Sequence, residues 1–500
     1  MEFIEKFISL PVIILLLYYV IKYLINKIHE YNLVKGFSGP KAYPLIGNLH
    51  TFLGDTKDIT KKILKAIENS PSPWRFWIGP KLYIILDDPE HIEIISKHSN
   101  AFEKGPIYDF MKPGIGNGLI SASASIWNKH RKLLNPVFKI QILSDHMSKI
   151  IKQSHRLTKT IESYNEQKID ILHYTNLFTL DTIYDTMFGR DFNFQNNPEC
   201  RLHDNISELI GIITQRIYKF WLHPDIIFYN LPIGKRFRET LAHLDTLTWK
   251  EQKESMQEKK INGEMNEKDA TKNTSLFLDT VFKSFYEGKE YTEQDIRDEM
   301  NTIVIAGSDT SSISITFVLL MLAIYPKIQE QVYEELYQIY GSSDPVDENI
   351  SYEDTKNLKC LERVIKETFR LFPPAPFIGR SVCEDIQVSE SVIVPKNSTC
   401  VVMLYALHRN DKYWKNPLQF NPDRFLSGNY NIKHFLPFGT GPRGCIGWNF
   451  AMIEIKVVIA TVLRKFSVHV DVPLKLEDIA IRMGITMKPT KKIFLRFKKR

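Results

Sequence analysis

Apolar and polar positions divide this chain unevenly. An uncharged run of 15 residues, Phe7 to Ile21, is followed by Lys22 and then Tyr23, Leu24 and Ile25. With Lys22 snorkelling to the interface, the apolar stretch extends to Ile25 and is long enough to span a bilayer. Residues 36–48, GFSGPKAYPLIGN, break the pattern with Gly and Pro and predict a stiff hinge. Residues 74–86, WRFWIGPKLYIIL, place aromatic and β-branched residues around a Gly-Pro turn and predict a hairpin. From Trp127 to Tyr340 the chain predicts long helices, mixed apolar and charged with few glycines. Within that span, residues 251–275 are the most polar and predict a solvated connection. Residues 392–404 predict a further strand. No repeat and no break in composition divides the rest. The expected architecture is mainly α with small β-sheets: an anchor at 1–26, a hinge at 27–48 and one large helix-rich domain at 49–500.

Charge sets the direction of the anchor. Lys6 alone precedes the apolar run, whereas Lys22, Lys27 and Lys35 follow its core, so the body is expected in the cytosol on a single-pass anchor. Glu2 and Glu5 and the lack of a small-residue cleavage site argue against a cleaved signal peptide. On this topology the sequons at Asn205, Asn273, Asn349 and Asn397 are expected to be silent. The net charge of +7 suits a membrane surface or an acidic partner and is too small for a nucleic-acid signature. Five cysteines without a CxxC pair exclude a disulfide framework and a zinc finger, and favour a reducing compartment.

The sharpest chemistry lies in residues 438–447, FGTGPRGCIG. Glycines at 439, 441, 444 and 447 around Cys445 let backbone approach a flat cofactor and turn into a helix. A thiolate there suits haem iron, with nearby N–H groups damping its charge. Arg443 suits a propionate and favours the thiolate, and Phe438 offers an aromatic wall. The alternative is a glycine-rich loop around an inert buried cysteine. A phosphate loop fails because no GKS or GKT follows.

A second unusual segment is AGSDTS, Ala306 to Ser311, inside an apolar helical run from Asn301 to Ile324. Gly within a helix costs about 1 kcal/mol relative to Ala, and Asp is a poor helix former. One reason to keep them is a groove at Gly307 for dioxygen, a hydroxyl at Thr310 and a proton link at Asp309. The other is a helix bent by Ser/Thr back-bonding.

The pattern F-x-x-G-x-R-x-C-x-G, met by Phe438, Gly441, Arg443, Cys445 and Gly447, resembles the haem loop of cytochrome P450 monooxygenases. Three further segments agree with it. Glu367 and Arg370 in KETFR, with Arg424 in FNPDRF, match a structural ion-pair cluster behind the haem. Trp127 and Arg131 in WNKHR, and Arg380 in PFIGR, match propionate-binding positions. Asp309 and Thr310 match the acid–alcohol pair that delivers protons for O–O cleavage. His130, beside Arg131, reads as a satisfied histidine and not as a ligand.

The resemblance implies the cytochrome P450 fold and a haem b with Cys445 as axial thiolate. Phe438, Arg443 and Gly447 belong to its cradle, along with Trp127, Arg131 and Arg380. It also implies electrons from NADPH through a separate cytochrome P450 reductase, with cytochrome b5 as a further partner, and an endoplasmic-reticulum location. No dinucleotide fingerprint occurs in this chain. The segments GNGLISASASIWNKHRKLLNPVF and RLFPPAPFIGRSV most resemble the clan of fatty-acid omega-hydroxylases and many insect enzymes. Some members of that clan bond the haem covalently through a Glu before the motif glycine. Ala306 stands there, so non-covalent haem is expected. A lipophilic substrate is expected, and no nucleic acid.

Phe110, Met111, Ile305, Phe377, Ile378 and Met487 fall where relatives line the substrate cavity, although as residues they read as core. The apolar stretch 218–234 reads either as a membrane-dipping segment or as a buried helix pair. Two alternatives stand beside the monooxygenase: a haem-thiolate isomerase or lyase acting on a hydroperoxide, and a haem-binding sensor. The intact Asp309–Thr310 pair favours the monooxygenase.

Overall fold

A computed structural model describes the chain except residues 1, 44, 198–200, 251–252, 254–276 and 287–290. Most of the polar connection expected at 251–275 lies outside the described residues.

Helix α1, Glu2–Val34, is continuous. It runs past the expected hinge boundary at residue 26, because nothing from Lys27 to Val34 is Gly or Pro and the break waits for Gly36. Its apolar side chains from Ile14 to Ile25 are exposed, whereas Glu30 and Val34 are buried against the body. Lys27 Nζ donates to Pro80 O (2.8 Å), His29 Nε2 bonds the Asp385 carboxylate (2.9 Å), and Arg75 Nη1 donates to Val34 O (2.7 Å).

The predicted hairpin forms as β1 (Trp74–Ile78) and β2 (Lys81–Leu86), antiparallel, with Phe76 opposite Tyr83. Two later strands complete the sheet. These are β3 (Ile378–Ser381) and β4 (Thr399–Val402), in the order β1-β2-β4-β3. β4 runs parallel to β2, and β3 is antiparallel to β4 with Arg380 opposite Cys400. The strand expected over 392–404 is thus two. Val392–Val394 pairs in a separate small sheet, and the turn around Asn397 (φ +63°) separates it from β4.

Helices form the rest of the core. Helix α2 spans Ala124–Leu134, α3 Ile171–Met187, α4 Glu293–Ile324, α5 Lys359–Leu371 and α6 Trp448–Lys465. Thr292 and Asp295 close a capping box that starts α4. Beyond that turn most of α4 is buried, including polar side chains such as Asp298, Glu299, Asn301 and Asp309. By length and composition part of α4 could cross a membrane, yet it lies inside the protein against α3. A final short strand, β5 (Lys488–Pro489), reaches back toward α4.

Glu367 and Arg370 share a face of α5 and are both fully buried. Arg370 donates to both Glu367 oxygens (2.7 and 2.9 Å) and to the carbonyls of His408, Pro417 and Gln419. Glu367 also accepts from Asn421 N (2.8 Å) and Arg424 Nε (3.2 Å). Every donor and acceptor is answered, which is what makes a buried ion cluster tolerable.

Candidate active site

The glycine-rich loop enters α6 directly: Gly447 is its N-cap, and Cys445 N donates to Phe438 O (2.9 Å). Gly439 and Gly441 adopt φ of +71° and +73°. A Cβ on Gly441 would stand 2.4 Å from Ser96 O, so both backbone shape and proximity demand glycine there. Phe438 meets Phe369 of α5 edge-on, with ring centroids 5.6 Å apart.

Cys445 opens on an internal cavity of about 310 Å³. The loop forms one wall and Ala306, Gly307, Thr310 and Ser311 of α4 form another. Burial pushes the Cys445 thiol up, and the Gly447 backbone N–H and the Arg131 charge pull it down. Arg131 itself donates to Gly444 O (2.9 Å).

Lys104, Arg131, Arg380 and Arg443 all line this cavity, and no carboxylate does among the described residues. Burial pushes Arg443 down to about 10, with Arg380 repelling it. Arg380 is likewise lowered by burial, and Lys104 well below its ordinary value by burial and by both arginines. Arg443 stacks over the Trp127 ring at 4.5 Å and donates through Nη2 to Ala122 O (2.9 Å). Its Nε and Nη1 are buried without partners among the described residues. A cluster of converging cations with unused donors asks for a multivalent anion. A flat macrocycle bearing two carboxylates, seated on the Cys445 loop, fits both the charge and the shape. Lys104 was not legible in the sequence: FEKGP carries no signal, and only the fold brings it beside Arg380.

Thr310 lines the cavity, and its hydroxyl also donates to Ala306 O (2.7 Å). Gly307 faces the cavity, but a Cβ there would lie 2.5 Å from Ile183 Cδ1, so the glycine also lets α3 approach. Asp309 is not among the cavity-lining residues. It is buried, 2.5 Å from Lys488 Nζ, and accepts from Thr486 Oγ1 (2.8 Å). His130 is buried beside Glu299, with Nδ1 2.7 Å from its carboxylate. Glu367, Arg370 and Arg424 stay outside the cavity.

A second, apolar cavity of about 260 Å³ lies between the sheet and the end of helix Leu202–Tyr218. Phe110 and Phe377 line it, whereas Ile378, the next residue, lines the Cys445 cavity. Met111, Ile305 and Met487 are buried and line neither.

The cytochrome P450 family model matches residues 37–497. The chain belongs to the cytochrome P450 family. Cytochrome P450 4V2 of Homo sapiens is 31% identical over 472 residues, covering 92% of this chain and 89% of that protein. Cytochrome P450 4c3 of Drosophila melanogaster is 31% identical over 475 residues, covering 91% and 88%. The crystal structure of the cytochrome P450DA heme domain superposes with a TM-score of 0.77 at 22% identity, covering 93% of this chain and 98% of that one, and shares its fold. The protein is a cytochrome P450 monooxygenase, and the resemblance to the clan of omega-hydroxylases and insect P450s holds.

Proposed function

We propose that this P450 oxidises a lipophilic, fatty-acid-like, hormone, odorant or foreign molecule that reaches the Cys445 cavity from a membrane. Electrons come from NADPH through a separate reductase, with cytochrome b5 as a second donor. The observation that carries this reading is the apolar cavity behind Phe377, one residue from the Cys445 chamber. Nearby, Trp221, Ile226 and Ile227 expose apolar surface, Ile226 to 78%. Their exposed apolar side chains, like those of α1 from Ile14 to Ile25, suit lipid and apolar ligands. The protein then sits in the endoplasmic-reticulum membrane by one anchor, with its body in the cytosol.

Haem bound non-covalently on the Cys445 thiolate supplies the dioxygen-binding and oxidising centre. The chain's own residues do the rest. Lys104, Arg380, Arg443 and Arg131 hold the propionates, with Trp127 beneath the Arg443 guanidinium. Phe438 and Gly447 shape the cradle, and the Gly447 N–H and Arg131 favour the thiolate. Thr310 presents its hydroxyl to the chamber, and Asp309, held by Lys488 and Thr486, fixes the polar side of α4 behind it. Glu367, Arg370 and Arg424 brace α5 outside the cradle.

The test is the carbon monoxide difference spectrum of the reduced, membrane-bound protein, followed by NADPH, reductase and dodecanoic acid. A strongly red-shifted Soret band and an oxygenated product support the reading. A band at the position of thiol- or histidine-ligated haem contradicts the Cys445 assignment.

A further inference from the structure

The cavity behind Phe377 is not apolar throughout. One wall is a face of the sheet, and two hydroxyl-bearing side chains stand on it: Tyr83 of β2 and Thr399 of β4, partners in the parallel register. Tyr83 is only 8% exposed and Thr399 only 5%, yet both line the cavity. Neither hydroxyl has a hydrogen-bond partner among the described residues. Burial alone acts on the Tyr83 phenol and pushes it up to about 12, so it is a neutral donor near pH 7. Buried hydroxyls left unanswered are costly, and an adjacent pair of them asks for a polar group.

The other polar groups around this wall are occupied or lie toward solvent. Tyr218 donates to Met483 O (3.1 Å), and His223 Nε2 donates to Ile217 O (3.1 Å). Burial lowers His223, and Lys81 and Arg216 oppose its protonation, so the ring is neutral near pH 7. Lys81, the one charged side chain on this wall among the described residues, is exposed beside the hairpin turn. The Arg216 guanidinium is taken up by the carbonyls of Leu222 and His223 and by Asp225. No charged group acts on Tyr83. A carboxylate placed on the Tyr83–Thr399 pair would therefore lose its water without gaining a counter-charge.

An uncharged hydroxyl fits instead. It can accept from the Tyr83 phenol and donate to the Thr399 oxygen. From that pair β4 runs on to Met403, four residues or about 13 Å along the strand. Met403 lines the cavity together with Phe377, and Ile378 belongs to the Cys445 chamber. A chain held by its hydroxyl on Tyr83 and Thr399 thus points its other end toward that chamber.

We infer that Tyr83 and Thr399 form a head-group subsite that selects long-chain alcohols over the corresponding carboxylates and hydrocarbons. The inference rests on this cavity being the substrate's route to the Cys445 chamber.

The experiment uses the detergent-solubilised full-length holoprotein, comparing wild type with Tyr83→Phe and Thr399→Val. Each substitution keeps the side chain's shape and removes its hydroxyl. The probes are dodecanol, dodecanoic acid and dodecane, with affinities read from the ligand-induced change in the Soret band. Wild type should bind dodecanol about 5- to 10-fold more tightly than either other probe, the worth of one hydrogen bond. Each variant should lose most of that preference while binding dodecane as wild type does. With NADPH and reductase, dodecanol should be oxidised at the chain end away from its hydroxyl, giving a diol. Equal affinity of wild type for alcohol and acid overturns the inference and leaves the substrate route standing. An alcohol preference that survives both substitutions does the same, as does oxidation at the carbinol carbon to an aldehyde. Failure of wild type to bind any of the three probes overturns the route itself, and the subsite with it. If Tyr83→Phe does not fold, Thr399→Val decides by the same readings.

Discussion

The carboxylate of Asp309 lies 2.5 Å from the ammonium of Lys488, and both are buried. The residue that the motif presents as a proton link is therefore also half of an internal ion pair between α4 and β5. Removing one partner strands the other. Lys488→Met is expected to cost about 3–5 kcal/mol, read as a lower midpoint in urea denaturation. Lys488→Met combined with Asp309→Asn should recover much of the loss. No recovery would mean that the pair does not couple the two elements.

The cation cluster predicts haem retention. Arg443→Ala, Arg380→Ala and Lys104→Ala should each weaken haem binding by about 10- to 100-fold, the worth of a charge-assisted hydrogen bond. Transfer of haem to a scavenger apoprotein measures this directly. Unchanged transfer rates in all three would refute an anion site at these residues.

Glu367→Gln and Arg370→Met each leave a fully buried partner uncompensated. A loss of about 3–5 kcal/mol is expected for either, seen as little holoprotein on expression. Arg424, less enclosed and bonded to the same Glu367 oxygen as Asn421, should cost less.

Stability should carry the mark of Glu454, a fully buried acid of α6 whose carboxyl burial pushes up. Its folded pKa, near 8, lies above the unfolded value near 4.5. Between those values the unfolded chain has lost a proton that the folded one keeps. This term therefore weakens the fold as pH rises, by about 1.4 kcal/mol per pH unit, and levels off above 8. Denaturation midpoints of Glu454→Gln should lack that slope, and an identical slope in both proteins would count against the buried neutral acid.

The Cys445 loop and the cavity-lining Trp127, Arg131 and Thr310 were legible because their chemistry is local: a few residues at fixed spacing. So was the hairpin, from its turn and alternation. Lys104 and Lys488 were not, since each acquires its role only when distant segments meet. Glu454 was hidden for another reason. A glutamate in an amphipathic-looking helix reads as surface, and only the packing of α6 against α4 removes it from water. The expected hinge boundary missed by eight residues of helix, Lys27 to Val34, because propensity there favours continuation and docking secures it.

That docking has a mechanical consequence. Lys27, His29 and Val34 are tied to the body, so on the proposed topology α1 acts less as a tether than as a keel. The heading of the enzyme on the bilayer is then set by helix phase. One residue inserted between Ile25 and Lys27 would turn the lipid-embedded part by about 100° relative to the body. Such an insertion would leave the chamber untouched while changing which face of the body meets the membrane.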